Sequence, residues 1–413
     1  MICENLNYNS GMMVYINVLF ITILASALVS CCHGKPSLHL AVEKWHRFQL
    51  PTAQGTSPLR VESTVLEEEK EEWKADVEDD DGGESDRIIL YCGEECEEPD
   101  EYRNYTIKEA EDTLAFETVY PNGTRTLTRL QVPEQMVEYI NGWMRGVKRH
   151  TGKAEAVDAK VRRKRAVFDF DTRFEVNVAK YLTEYPFSAA VKLSTGCTGV
   201  LVSSQHVLTA AHCLHNGKRY IVKVKDIKAG FRREATPGED PSEAYERSFI
   251  WIRADKVYLP YDWTNKRNSL QPLDKDYAVI VLKRSPDREH LEVGMGDTGN
   301  VPVGTMVHFS SFDIANQPKL FYRFCTVTGG TQELFYQQCD AEPPSIGAGV
   351  YIKIWDPEAG SWSRRVVGLF GGLTSFINAL GIREEQNVAM RITPLKFAQI
   401  CFWLTGDYGE CKG

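Results

Sequence analysis

From Ala166 to the C-terminus, short apolar runs alternate with polar turns. Residues 189–193, 200–202, 220–224, 277–282 and 366–370 are such runs, rich in β-branched and aromatic side chains. Runs this short, bounded by Gly, Ser, Asn and Pro, predict β-strands. Many of them over about 248 residues predict a sandwich or a barrel. One helical pattern closes the chain over 394–404, with a proline at its start. Upstream the pattern changes. Residues 133–149 place apolar side chains at helical spacing behind Pro133 and predict one amphipathic helix. Residues 14–30 are a nearly unbroken apolar run ending in small residues. That pattern predicts a secretory signal peptide over 1–34, cut between Ser30 and Gly34. Glu4 and the lack of Lys or Arg before the run depart from the pattern, and initiation at Met12 or Met13 removes that departure. Residues 366–382 are uncharged, but their Gly, Ser, Thr and Asn suit buried strands better than a membrane helix.

Charge divides the chain at the same place. Of 48 Lys and Arg and 57 Asp and Glu, 28 of each lie from Ala166 onward, so the net charge of −9 sits entirely upstream. The stretch 62–101 is dominated by Glu and Asp, with Asp79, Asp80 and Asp81 at its middle, and predicts a solvated lead-in. This balance suggests no nucleic-acid partner. Arg162, Arg163, Lys164 and Arg165 stand at the boundary, a substrate sequence for a furin-type convertase in a secreted protein. The expected organisation is a signal peptide at 1–34, an acidic pro-region at 35–165 and a final domain at 166–413. Asn104-Tyr-Thr and Asn122-Gly-Thr are glycosylation sequons in that pro-region. Of 11 cysteines, Cys3, Cys31 and Cys32 fall in the leader, leaving eight. An even number predicts disulfides and an oxidising compartment. Two of the eight precede the basic site and six follow it, so each piece can pair internally.

The chemistry is concentrated at Leu208-Thr209-Ala210-Ala211-His212-Cys213. Cys197 and Cys213 bracket an apolar hairpin, and a bond between them would fix where His212 points. This resembles the catalytic-histidine loop of the chymotrypsin-like serine proteases. The resemblance implies a carboxylate to orient the imidazole and a nucleophile for it to serve. Asp276-Tyr-Ala-Val-Ile is similar to the family's carboxylate motif, which makes Asp276 the orienting residue and Asp274 the alternative. The nucleophile turn matches Pro343-Pro344-Ser345-Ile346-Gly347. Aligned on Gly349-Val350-Tyr351, Ile346 falls where the family has its Ser, and Pro344 where it has an oxyanion-hole Gly. Ile346 has no nucleophilic oxygen, and Pro344 has no N–H to donate. Ser345 falls at the acidic position that pairs with a new N-terminus in trypsin-like zymogens; as a shifted nucleophile it is the less favoured reading. Ala166-Val-Phe does not match the family's usual start, and Gly371 replaces the usual Ser on the substrate strand. Asp340, six residues before Ile346, stands at the spacing of a specificity carboxylate, or is an ordinary loop acid.

Tyr322-Arg-Phe-Cys325, Tyr336-Gln-Gln-Cys339 and the run 387–401 are similar to the serine protease 23 and 35 group of that family, with the altered turn of its inactive type. The resemblance implies an all-β fold: two six-stranded Greek-key β-barrels with a C-terminal helix, preceded by a largely irregular acidic pro-region. With it come the expected pairs Cys197–Cys213, Cys325–Cys339, Cys401–Cys411 and Cys92–Cys96. No cofactor and no metal are implied. The expected function is that of a secreted, catalytically inactive homologue, a pseudoprotease that binds extracellular or matrix proteins, with no membrane span once the leader is removed. The competing expectation is an active endopeptidase with non-standard machinery.

Overall fold

The computed structural model describes residues 61–66, 89–91, 104–146, 171–233, 248–265, 270–295, 301–313, 319–356, 360–377 and 383–408. The signal-peptide stretch, the basic site at 162–165, Cys92, Cys96 and Cys411 lie outside them. The described upstream elements are strands β1 (Val61–Leu66) and β2 (Ile89–Tyr91), helix α1 (Ile107–Leu114), strands β3 (Phe116–Val119) and β4 (Arg125–Leu130), and helix α2 (Glu134–Gly146). A two-residue strand β5 (Phe174–Glu175) follows.

The downstream apolar runs close into two barrels. The first uses β6 (Ala190–Leu193), β7 (Thr198–Leu201), β8 (His206–Thr209), β9 (Lys228–Arg232) and β10 (Phe249–Pro260). A three-residue strand β11 (Leu270–Pro272) then pairs in parallel with β2, and β12 (Ala278–Leu282) completes the ring. Neighbours run β10-β12-β8-β7-β6-β9, and β9 pairs back onto β10, which leaves six strands and no free edge in the ring. Every residue of β12 is buried, which is why its sequence is a continuous apolar run rather than an alternating one.

The second barrel begins after β13 (Glu292–Val293), which lies parallel to one of its strands. Its members are β14 (Met306–Phe312), β15 (Leu320–Gly330), β16 (Leu334–Gln337), β17 (Gly349–Asp356), β18 (Ser361–Ile377) and β19 (Arg383–Arg391). The order β18-β17-β14-β15-β16-β19 closes where β19 pairs with β18. Helix α3 (Pro394–Thr405) ends the described chain. Pro394 sits in its first turn, where a missing N–H costs nothing, and Gly406 closes it with φ of 85°.

Two local expectations come out differently. Residues 220–224 form no strand. Tyr220 makes only an isolated bridge to His215, and 224–226 is a single 3-10 turn. The tyrosine is held by a side-chain hydrogen bond to Glu117, not by a ladder. The helix expected over 133–149 is present as α2, but residues 104–130, expected as part of an irregular lead-in, are also regular nearly throughout. β3 pairs with β4 and, on its other side, with β10 of the first barrel. The apolar faces of α1, α2 and β3 join the same core as the barrel. Their partners are more than a hundred residues away, and no local pattern displays such pairing.

Candidate active-site remnant

β7 and β8 form the hairpin that carries the histidine. Cys197 and Cys213 are disulfide-bonded with their Cα atoms 6.1 Å apart, which ties the end of the hairpin to its beginning. β8 ends at Thr209, Ala210 and Ala211 are buried, and a single 3-10 turn over Ala211–Cys213 presents His212. Its backbone N–H donates to Asp276 Oδ1 at 2.9 Å and its Nδ1 to Asp276 Oδ2 at 2.6 Å. Asp276 is buried at the foot of β12, so both of its oxygens serve one residue. With the proton on Nδ1, Nε2 carries the lone pair a general base needs. Asp274 does not compete for this place. It forms an ion pair with Lys275 at 3.3 Å, and the structure brings Asp276 to His212 instead.

The turn at 343–348 abuts this histidine loop. Thr198, next to Cys197, clamps it: its N–H donates to the Ile346 carbonyl at 2.9 Å and its hydroxyl to the Pro344 carbonyl at 2.7 Å. Gly347 has φ of 83°, and a Cβ there would lie 3.0 Å from the Ala210 N–H and closer still to Thr198 and Thr209. Only glycine fits between the two barrels at this point. Each amide of the turn is already used. Ser345 N–H donates to Glu342 O at 2.8 Å, Ile346 N–H to Pro343 O at 3.1 Å, Gly347 N–H to Phe370 O at 2.8 Å and Ala348 N–H to Ser345 O at 3.0 Å. Pro344 has none to give. An oxyanion hole is a pair of N–H groups aimed at an empty point; here the N–H groups from Ser345 to Ala348 all end on carbonyls. Ile346 itself is half-buried against the second barrel's core and lies alongside β18, where a Cβ on Gly372 would be 3.7 Å from its Cδ1. Gly371 carries no hydroxyl, and a Cβ there would stand 3.2 Å from Leu273 Cδ1.

Behind the turn lies a buried charged network that the sequence reading did not find. Arg323 Nη2 donates to both oxygens of Asp313 at 2.8 Å, and neither side chain is exposed. Ser345 is part of it. Its hydroxyl donates to Asp313 Oδ1 at 2.8 Å and accepts from Arg323 Nη1 at 3.3 Å. That hydroxyl is sealed in the interior and is no shifted nucleophile. Burial pushes the Arg323 guanidinium below its usual range, and Asp313 offsets this. Arg173 enters the network from the segment before β5. Its guanidinium reaches Asp171 at 2.7 Å, and Asp313 and Glu342 at 3.0 Å each. Its bond to Asp171, then its burial and its other two acid contacts, act on its pKa with a net upward shift. Asp340 is occupied as well, by Thr172. The signal for this network is a polar residue at an inward strand position: Arg323 faces Phe309 across the β14–β15 register.

Cys325 and Cys339 are disulfide-bonded, Cα atoms 5.5 Å apart, and anchor the start of the 339–349 segment to β15. Cys401 is also disulfide-bonded. Asn104 and Asn122 are both exposed, Asn122 in the β3–β4 turn. Asn104 accepts from Arg145 at 3.3 Å.

A family model described as Trypsin matches residues 177–319, which spans His212 and Asp276 and stops before the 343–348 turn. The chain is 37% identical over 367 residues to inactive serine protease 35 of Macaca mulatta, covering 78% of this chain and 86% of that one. It is also 37% identical over 375 residues to serine protease 23 of Mus musculus, covering 89% of this chain and 92% of that one. Relatives with both kinds of name thus match at the same level.

Proposed function

We propose a function from the premise that this chain belongs to the trypsin-like serine protease family, in the group of serine protease 23 and inactive serine protease 35: it is a secreted pseudoprotease that acts by binding extracellular proteins. The observation that carries this reading is the turn at 343–348. Aligned on Gly349-Val350-Tyr351, Ile346 falls at the family's nucleophile position and Pro344 at its first oxyanion donor, and the remaining N–H groups of the turn are spent on backbone carbonyls. Loss of the nucleophile alone leaves residual catalysis from the oxyanion hole in active relatives of this fold. Here both contributions are missing together.

The cellular setting belongs to the same proposal. The leader at 1–34 directs secretion, a furin-type convertase cuts after Arg165, and Asn104 and Asn122 carry glycans. Disulfides suit an oxidising compartment. Among the described residues no helix is long and apolar enough to cross a membrane. The partners are extracellular or matrix proteins.

One observation favours the competing reading of an active endopeptidase: the His212–Asp276 pair keeps the geometry of a working base. A fluorophosphonate probe on the secreted, processed protein separates the two. The pseudoprotease reading expects no label above that of a His212→Ala variant. Label that depends on His212 would overturn it.

A further inference from the structure

We propose that residues 104–146 are a permanent second chain of the barrel domain: scission between 147 and 170 leaves them bound, without a covalent link, through a shared sheet and a buried polar clamp. The proposal rests on the processing reading above only for whether such a cut occurs in the cell.

A releasable pro-segment needs an interface that opens without exposing unpaired backbone. This one does not. β10 is a barrel strand whose far half is flanked on both sides. Val257, Tyr258, Leu259 and Pro260 pair with Val119, Thr118, Glu117 and Phe116 of β3, and the ladder continues where Tyr261 N–H donates to Ala115 O at 2.9 Å. Removing β3 turns that half of β10 into an exposed edge. Below the ladder, the side chain of Gln399 on α3 completes the C-terminus of α1. Its amide donates to the carbonyls of Thr113 at 3.2 Å and Ala115 at 3.3 Å, while its Oε1 accepts from Tyr277 OH at 2.6 Å. Helix carbonyls at a C-terminus have no partner of their own. Here the partner belongs to the other piece, and it is fully buried.

Charge and aromatic packing repeat the pattern. Glu117 on β3 is completely buried, bonded to Arg125 of its own hairpin, and it accepts the Tyr220 hydroxyl of the barrel piece at 3.0 Å. Phe116 meets the rings of Tyr258, Phe402 and Trp403 at 5.7, 5.8 and 5.7 Å. The pattern also explains α3. Residues 394–401 of that helix are all buried, with no polar face to turn to water. A helix of that kind is covered on more than one side, and α1 and α2 supply part of the cover. The two disulfides whose partners are both described lie within the downstream piece, so neither ties the pieces together.

The test uses the full-length protein with Arg162–Arg165 replaced by the recognition sequence of a site-specific endoprotease. After complete cutting, a non-reducing denaturing gel should show two pieces. Native size exclusion should show one particle containing both, and this should persist at about 10 nM protein, which places the Kd below that concentration. Elution of the upstream piece in its own peak overturns the proposal, and so does a single band on the non-reducing gel, which would mean a covalent link. Gln399→Leu keeps the volume and removes the clamp. In the cut particle it should raise the dissociating concentration at least tenfold, and no change would mean the clamp does not contribute as argued. Convertase treatment of the unmodified protein is scored separately. Failure to cut there removes the processing reading and leaves the retention result standing.

Discussion

Thr172 donates both its backbone N–H and its hydroxyl to one oxygen of Asp340, at 2.6 and 2.8 Å. The two residues are 168 positions apart, and Asp340 is completely buried. The carboxylate at the spacing of a specificity residue is therefore filled by the protein's own chain. Beside it, Arg173 supplies a cation to Asp313 and Glu342. A substrate side chain would have to displace this segment to reach Asp340.

The first prediction follows directly. Asp340→Ala should lower stability by about 1.5–3 kcal/mol, because it removes the buried carboxylate that accepts two hydrogen bonds from Thr172. The native protein should not bind a small amidine, a mimic of a basic substrate side chain. Urea midpoints and a thermal-shift titration check both. An amidine-dependent rise in Tm would show that Asp340 is reachable.

How legible was this from the sequence? His212 and Asp276 were readable because each sits in a contiguous word whose small or apolar neighbours fix the local turn. Pro344 and Ile346 were readable as departures from a pattern. What the sequence did not show is where the amides of the turn go, since Ile346 N–H and Gly347 N–H choose acceptors only once the turn is built. Nor did it show Arg173 meeting Asp313, 140 positions away, or β3 extending the sheet of β10. Both depend on pairing between segments more than a hundred residues apart, which no local pattern carries, whereas α2 was legible from its own helical spacing behind Pro133.

Gly347 carries the second prediction. Its φ of 83° and the contact of a would-be Cβ with Ala210, Thr198 and Thr209 leave no room for a side chain. Gly347→Ala should cost about 2–3 kcal/mol, since both backbone strain and overpacking apply. A lower denaturant midpoint is the readout. A midpoint within about 0.5 kcal/mol of the native value would contradict the tight approach of the barrels, as such values mark uncoupled surface sites.

Acid sensitivity is the third. Burial pushes His215 down to about 3, and His206 and His308 each down to about 4, with nearby cations adding to the effect at all three. Neutral His215 accepts Gly217 N–H through Nδ1 at 3.1 Å, a bond the protonated ring cannot make. A folded pKa below the unfolded value of about 6.5 means the unfolded chain binds more protons in between. Stability from these histidines is thus present above pH 6.5 and is lost as pH falls from there toward 3 to 4. The slope is at most about 1.4 kcal/mol per pH unit for each histidine. Urea midpoints at pH 7.5 and 5.0 should differ accordingly, and His215→Asn should reduce the difference. Equal midpoints at both pH values would remove this account.

The last prediction is that Ile346→Ser alone does not make a useful protease. The histidine is ready: Asp276 holds it at 2.6 Å, and a serine at 346 would give it a hydroxyl to activate. Removing such a serine from subtilisin costs on the order of 10⁶-fold in kcat, so restoring one would matter if the rest of the site were present. It is not. Attack creates an anion, and the N–H groups that should receive it are Pro344, which has none, and residue 346, whose N–H donates to the Pro343 carbonyl at 3.1 Å. One missing donor costs about 10²–10³-fold. Proline at 344 also fixes φ near −65° and restricts Pro343 before it, so it helps hold the closed turn in place. Adding Pro344→Gly supplies a donor and frees the turn to reopen. The double variant should therefore hydrolyse a pooled peptide library well beyond the single one, by up to about 10²–10³-fold if the donor is the main deficit. Gly371 and the Thr172-filled Asp340 would still limit substrate binding, so the double variant should remain a weak enzyme. High turnover by Ile346→Ser alone would show that the closed turn at 343–348 is not what silences His212.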